Sequence, residues 1–204
     1  DIIGENVTIR MDLPEGGTRY WNGFISQFVQ GVSTSVRFAQ YRATMVPWLW
    51  FLTQTSDCRI FQEKTVPEII RQVFSDHGFS NIEDRLSGGY RVWSYCVQYR
   101  ETDYNFVSRL MEQEGIYYYF LHEQRTCALV LCDSLSRHDS DENYGSIDFA
   151  ADTRGSAISE RITEWTVVKK VRSGKFAHID YNFEKPGTSL ISIEEDQKSH
   201  ARSD

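Results

Sequence analysis

The feature that most narrows the fold is a helix signature set between strand-patterned segments. Thr65-Val66-Pro67-Glu68 is a capping box with a proline in the first helical turn, where a missing N–H does no harm. Behind it, Val66, Ile69, Ile70, Val73 and Phe74 recur at i, i+3, i+4, i+7 and i+8, which makes one buried stripe. Gly78 supplies the stop, so the spacing predicts a helix over 66–77. Glu68, Arg71, Gln72 and Asp76 then face water. A second helix starts near Thr102 as N-cap, with Asp103 placed against the positive end of the helix dipole. Phe106, Val107, Leu110 and Met111 bury one side of it, Asn105, Arg109, Glu112 and Gln113 form the other, and Gly115 ends it.

The rest reads at period two. Residues 7–11 alternate apolar and polar, and Pro14-Glu15-Gly16-Gly17 is a turn cluster. Long strand-like runs follow over 19–30 and 35–45; Gly23 inside the first suggests a bulge or bend. Consecutive strands without a helix argue for a small barrel or sandwich. Residues 92–99 form a strand with Trp93, Tyr95, Val97 and Tyr99 on one face, expected to lie under a helix. Residues 116–121 and 127–131 form a hairpin around 122–125. The stretch 133–155 reads as a polar linker, strands are expected again over 158–168 and 171–179, and 194–204 is a charged tail.

Composition closes several function classes. With 22 Lys+Arg against 29 Asp+Glu the net charge is -7, and no basic block occurs. Nucleic acid and anionic membrane surfaces both select for excess Lys and Arg, so neither is expected as a partner. No apolar run approaches the roughly 18–20 residues that a membrane-spanning helix needs, and 1–5 do not begin a signal peptide.

Chemistry has little foothold. Cys58, Cys96, Cys127 and Cys132 show no CxxC spacing, and Cys127 and Cys132 fall on opposite faces of one strand, so buried free thiols are expected. The five histidines are scattered, and no metal is expected. A GxSxG elbow, a P-loop and a GxGxxG are all absent. Glu101, Asp103, Glu112 and Glu114 form the best carboxylate cluster and could in principle serve glycoside hydrolysis. Helix-terminal charge, ion pairing and a solvated face account for them more simply. Glu112 and Glu114 oppose the dipole at a helix C-terminus, which calls for a cationic partner. Arg100 and Arg109 are the charged residues expected to be buried and paired, because the guanidinium fork binds carboxylates bidentately.

Three segments together resemble one family. They are residues 41–52 (YRATMVPWLWFL) with 58–62 (CRIFQ), residues 95–103 (YCVQYRETD) with 106–110 and 114–120 (EGIYYYF), and residues 180–186 (DYNFEKP). They are similar to the Vgr proteins of type VI secretion and, more distantly, to the hub protein of contractile phage tails. The resemblance covers nearly the whole chain. It implies an α+β, mainly β fold with two barrel-like β domains, the first incomplete, and an α+β domain between them. The corresponding boundaries are 1–60 for the partial first barrel, 61–135 for the α+β domain, and 136–204 for linker, second barrel region and tail.

The same resemblance implies a structural hub without catalytic residues, cofactor or metal. Three copies would form a ring on a hexameric Hcp tube, with baseplate components and effector proteins as further partners. The protein would be assembled in the bacterial cytoplasm and then translocated. The chain would open in the middle of the first barrel and stop before an OB-fold and spike. Trp48, Trp50, Arg100, Glu101, Arg109 and Glu114 are the candidate structural or interface residues, with Trp48, Trp50 and 117–120 divided between core and subunit contact.

Overall fold

The computed structural model describes residues 2–13, 16–31, 39–138, 145–150, 161–171 and 173–195. The chain divides by its internal packing into two units, one built from 1–147 with 156–160 and one from 148–155 with 161–204.

In the first unit, β1 (Asn6–Asp12), β2 (Thr18–Gln30) and β3 (Tyr41–Val46) form an antiparallel sheet in that order. The expected strand over 35–45 starts later, at Tyr41; residues 32–38 lie outside the described residues. The register shifts between Ile25 and Gln27, so the bulge falls at Ser26 and not at Gly23. Gly23 answers a different demand. A Cβ there would stand 2.7 Å from the Val46 carbonyl oxygen and 2.8 Å from Met45 Cγ, so β3 can lie this close only to a glycine.

A 3-10 turn over Trp48–Thr53 follows, and it seats Trp48, Leu49 and Leu52 in the core. The strand β4 (Ser56–Phe61) pairs antiparallel with β6 (Cys96–Thr102). Helix α1 (Val66–Asp76) begins at the capping box: Glu68 Oε2 accepts from the Thr65 N–H at 2.7 Å and from its hydroxyl at 2.8 Å. Val66, Ile69, Ile70, Val73 and Phe74 are all fully buried, as the stripe requires. The helix closes on Gly78 at φ +77, with Gly78 N–H donating to Ser75 O and Phe79 N–H to Phe74 O, a Schellman pair. Helix α2 (Asp103–Glu114) ends the same way on Gly115, φ +70, with Ile116 N–H donating to Met111 O.

A third sheet runs β5 (Ile82–Arg85), β8 (Cys127–Cys132), β7 (Tyr117–His122). The β7–β8 hairpin matches its sequence pattern, whereas β5, parallel to β8, was not visible in the sequence. Ile-Glu-Asp-Arg is short and polar, and its pairing is non-local. The core joins both helices, the Trp48 turn, Phe61 and the β8 residues Leu129 and Leu131.

The strand at 92–99 departs from expectation. It begins at Cys96, and its buried face carries Cys96 and Gln98; Tyr95 and Tyr99 are 53% and 64% exposed. In the pairing Phe61 opposes Cys96 on the buried face, where Phe61 stacks on Phe106 of α2, while Ile60 opposes Val97 on the outer face that carries Tyr95 and Tyr99.

In the second unit β9 (Lys175–Asp180) and β10 (Leu190–Glu195) form a hairpin. The strand expected over 158–168 is not found at 161–168, where Ile162 makes only an isolated bridge with Phe149; 158–160 lie outside the described residues. The tail beyond 195 also lies outside them. Among the described residues the architecture is mainly β with two helices, no sheet closes into a barrel, and no helix is long and apolar enough to cross a membrane.

Candidate functional site

A buried, fully bonded carboxylate in the first unit is Asp103, the first residue of α2. Thr102 caps the helix by accepting from the Asn105 N–H at 3.1 Å, and the Asp103 N–H is tied to Thr55 O at 3.0 Å. This fixes the carboxylate where β4, β6 and the end of α1 converge. Oδ1 accepts from Gln98 Nε2 at 2.6 Å and from Arg59 Nη2 at 2.7 Å. Oδ2 accepts from His77 Nε2 at 2.6 Å and from the Thr55 hydroxyl at 3.2 Å. Arg59 also reaches Gln98 Oε1 at 2.9 Å and Asp76 at 3.2 Å.

Asp103 is 4% exposed. Burial alone would push its carboxyl up, but the bonds from Gln98 and His77, the Arg59 charge and the Thr55 hydroxyl outweigh it and hold it below the ordinary carboxylate range. A substrate cannot reach a carboxylate enclosed by four donors. What this arrangement does is clamp two strands to two helix ends.

A second heavily bonded acceptor is Asp133, half-buried just after β8. It takes the N–H groups of Ser87 and Gly88, the Ser87 hydroxyl and the Tyr90 hydroxyl at 2.6–3.0 Å. Burial works against ionisation, yet these donors win and set its carboxyl well below the usual range. Burial and the bond to Asp133 push the Tyr90 phenol far up. Gly88 fits this loop because a Cβ there would meet Asp133 Oδ2 at 3.0 Å.

The residues singled out from the sequence fall into separate places. Trp48 is in the core, stacked on Phe79 at 4.6 Å and edge-on to Phe74 at 5.0 Å. Trp50 is half-buried against Phe51. Glu101 and Arg109 meet bidentately, Nε at 3.0 Å to both oxygens and Nη2 at 2.8 Å to Oε1, while Nη2 also donates to Val97 O at 2.6 Å. Arg109 is paired as expected but exposed, not buried.

Arg100 corrects the expectation more fully. It is exposed at φ +50, beside the register shift between Asp57 and Cys58, and lies 5.2 Å over the Tyr99 ring. Its position in the bulge turns it away from the carboxylates, and none pairs with it among the described residues. Glu114 is half-buried and likewise has no ion pair among them. Three cysteines are buried free thiols; Cys58 is exposed, because it shares the outer face of β4 with Ile60. Asp103 as a hub of four donors was missed. The helix-cap reading explained it too easily, and its partners lie 5 to 48 positions away.

Among the described residues no group of three His, Cys, Asp or Glu side chains could hold a metal ion.

Comparison with known proteins places this geometry in a family context. A profile described as phage tail baseplate hub (GPD) matches residues 1–204. Pseudomonas aeruginosa type VI secretion system spike proteins VgrG1c and VgrG1b are 45% and 46% identical to the chain over 203 of its 204 residues. Those 203 residues are 28% and 27% of their own lengths, so the chain spans little more than a quarter of these relatives. Vibrio cholerae spike protein VgrG3 is 38% identical over 113 residues, 55% of this chain and 11% of that protein. Among solved structures the E. coli c3393 protein, itself described as a type VI component similar to T4 tail proteins gp27 and gp5, superposes with TM-score 0.56. That match covers 81% of this chain and 41% of the other at 21% identity, and it bears on fold alone. The chain belongs to the phage tail baseplate hub family, in its branch of VgrG spike proteins of type VI secretion.

Proposed function

We propose that this chain is the ring-forming part of a type VI secretion spike protein, a mechanical component that works as a homotrimer seated on a hexameric Hcp tube. The observation that carries this reading is identity of 44–46% with three Pseudomonas aeruginosa VgrG spike proteins across the whole chain. Baseplate components and effector proteins are its further partners. It is assembled in the cytoplasm and translocated through the apparatus. The strands of 1–60 and of 136–204 belong to two barrel-like domains, with 61–135 as the α+β domain between them in the chain. Heavily bonded polar clusters such as those at Asp103 and Asp133 suit a part that transmits force without performing chemistry. Trp50, Arg100 and the outward-facing Tyr95 and Tyr99 supply subunit contacts.

The solution mass of the full-length protein tests this. An elongated trimer is expected, and a monomer would overturn the ring. A second reading, a hub of a contractile phage tail, is favoured by the family's own description. Pull-down of Hcp by the full-length protein separates the two, since a phage hub would not retain it.

A further inference from the structure

Between the first sheet and the α+β core lies a cleft of about 240 Å³. Its floor is aromatic: Phe24, Trp48 and Phe79 line it, with Phe24 edge-on to Phe79 at 6.4 Å. One wall is the reciprocal amide pair of Asn6 and Asn22, whose hydrogen-bonding groups are satisfied at 2.8–3.1 Å. The opposite rim carries Asn81 and, from the β7–β8 turn, Arg125.

Three observations give the cleft one sign. Asp and Glu make up 29 of the 204 residues, yet neither lines it. Arg125, its one cation, has no ion pair among the described residues. The one thiol in the lining, Cys127, is pushed up to about 11 by burial and stays neutral beside an anion.

We propose that this cleft binds a carboxylate carried on a small apolar body, the apolar part on the Phe24–Phe79 floor and the carboxylate against Arg125 and Asn81. A terminal aliphatic residue with its free α-carboxylate has this chemistry, and so does an acidic side chain next to an apolar one. Arg125 is a suitable anchor because its fork takes a carboxylate bidentately while its own side chain remains solvated at the rim.

The test is calorimetric titration of the full-length protein with three peptides. One ends in leucine with a free carboxylate, one is its C-terminal amide, and one is amidated but carries an internal glutamate beside leucine. Saturable binding with Kd on the order of 0.1–1 mM is expected for at least one carboxylate-bearing peptide and not for the plain amide. The free-acid and glutamate peptides distinguish a peptide end from a side chain. Arg125→Ala, at an exposed turn position, is expected to weaken that binding about tenfold or more, and Asn81→Ala to weaken it less. Equal binding of all three peptides, no binding of any, or full affinity in Arg125→Ala would overturn the proposal.

Discussion

Arg59 on β4 and Asp103 at the start of α2 meet at 2.7 Å, with only 5% of the Asp103 side chain left accessible. A sheet strand and a helix end are thus joined by a charge-assisted bond in a nearly dry setting, and His77 from the end of α1 closes the other carboxylate oxygen. Removing Asp103 leaves Gln98, His77 and the Thr55 hydroxyl without their acceptor and Arg59 with only Asp57 and Asp76. Asp103→Ala is therefore expected to destabilise the protein by about 3–5 kcal/mol. Denaturant unfolding of the variant measures it, and a loss under about 1 kcal/mol would mean that solvent repairs the site.

The pair formed by Glu101 and Arg109 should behave differently. Its geometry is good, but Arg109 is 44% accessible, so water competes for both ends. Arg109→Ala is expected to cost about 1 kcal/mol, part of it from the stacking of the guanidinium 5.0 Å over Phe106. The contrast with Asp103→Ala in the same unfolding assay is the test of the burial argument.

His122 provides a pH signature. Its Nδ1 accepts the backbone N–H of Asn22 at 3.1 Å, a bond between β2 and β7 that requires an unprotonated Nδ1. Burial lowers its pKa from the ordinary value of 6.5. The folded state thus holds the proton less tightly than the unfolded chain. The stability this contributes is present above about 6.5 and is lost as pH falls through the lower folded value. Unfolding free energy measured in mild acid should decline over that window. His122→Gln should flatten the decline.

How much of this was legible follows from range in sequence. The helices were, because capping box, stripe and terminal glycine all sit within about four turns; their predicted ends fall within one residue of those observed. The Asp103 cluster was not, because Thr55 comes from the loop before β4, Arg59 from β4, His77 from the end of α1 and Gln98 from β6, and nothing local marks them as neighbours. The outward face of β6 misled for another reason. Aromatic residues at period two normally mark the buried side, but here the buried side carries Cys96 and the fully buried Gln98, opposite Phe61 and Arg59. β5 escaped because four polar-leaning residues become a strand only beside β8.

The half-buried phenol of Tyr118 contributes to alkaline stability. Burial, with the Tyr104 hydroxyl 3.3 Å away, pushes Tyr118 up to about 12. The folded state keeps its proton where the unfolded chain loses it near 10. Stability from this group is therefore intact below about 10 and is lost as pH rises toward about 12. Tyr118→Phe should unfold at higher pH than the parent in the same titration. An unchanged alkaline midpoint would assign the transition to other groups.

Gly23 offers the sharpest steric test. Its backbone is ordinary strand, so Ala carries no conformational penalty there; the whole effect must come from the Val46 carbonyl at 2.7 Å and Met45 Cγ at 2.8 Å from the new methyl. Met45 can swing aside, since its side chain is flexible, but the Val46 oxygen belongs to the β3 backbone and cannot move without opening the β2–β3 ladder. Gly23→Ala is expected to cost about 1–3 kcal/mol and to raise amide exchange at Phe24 and Val46 selectively. A loss of stability without that local exchange would point to a cause outside the β2–β3 pairing.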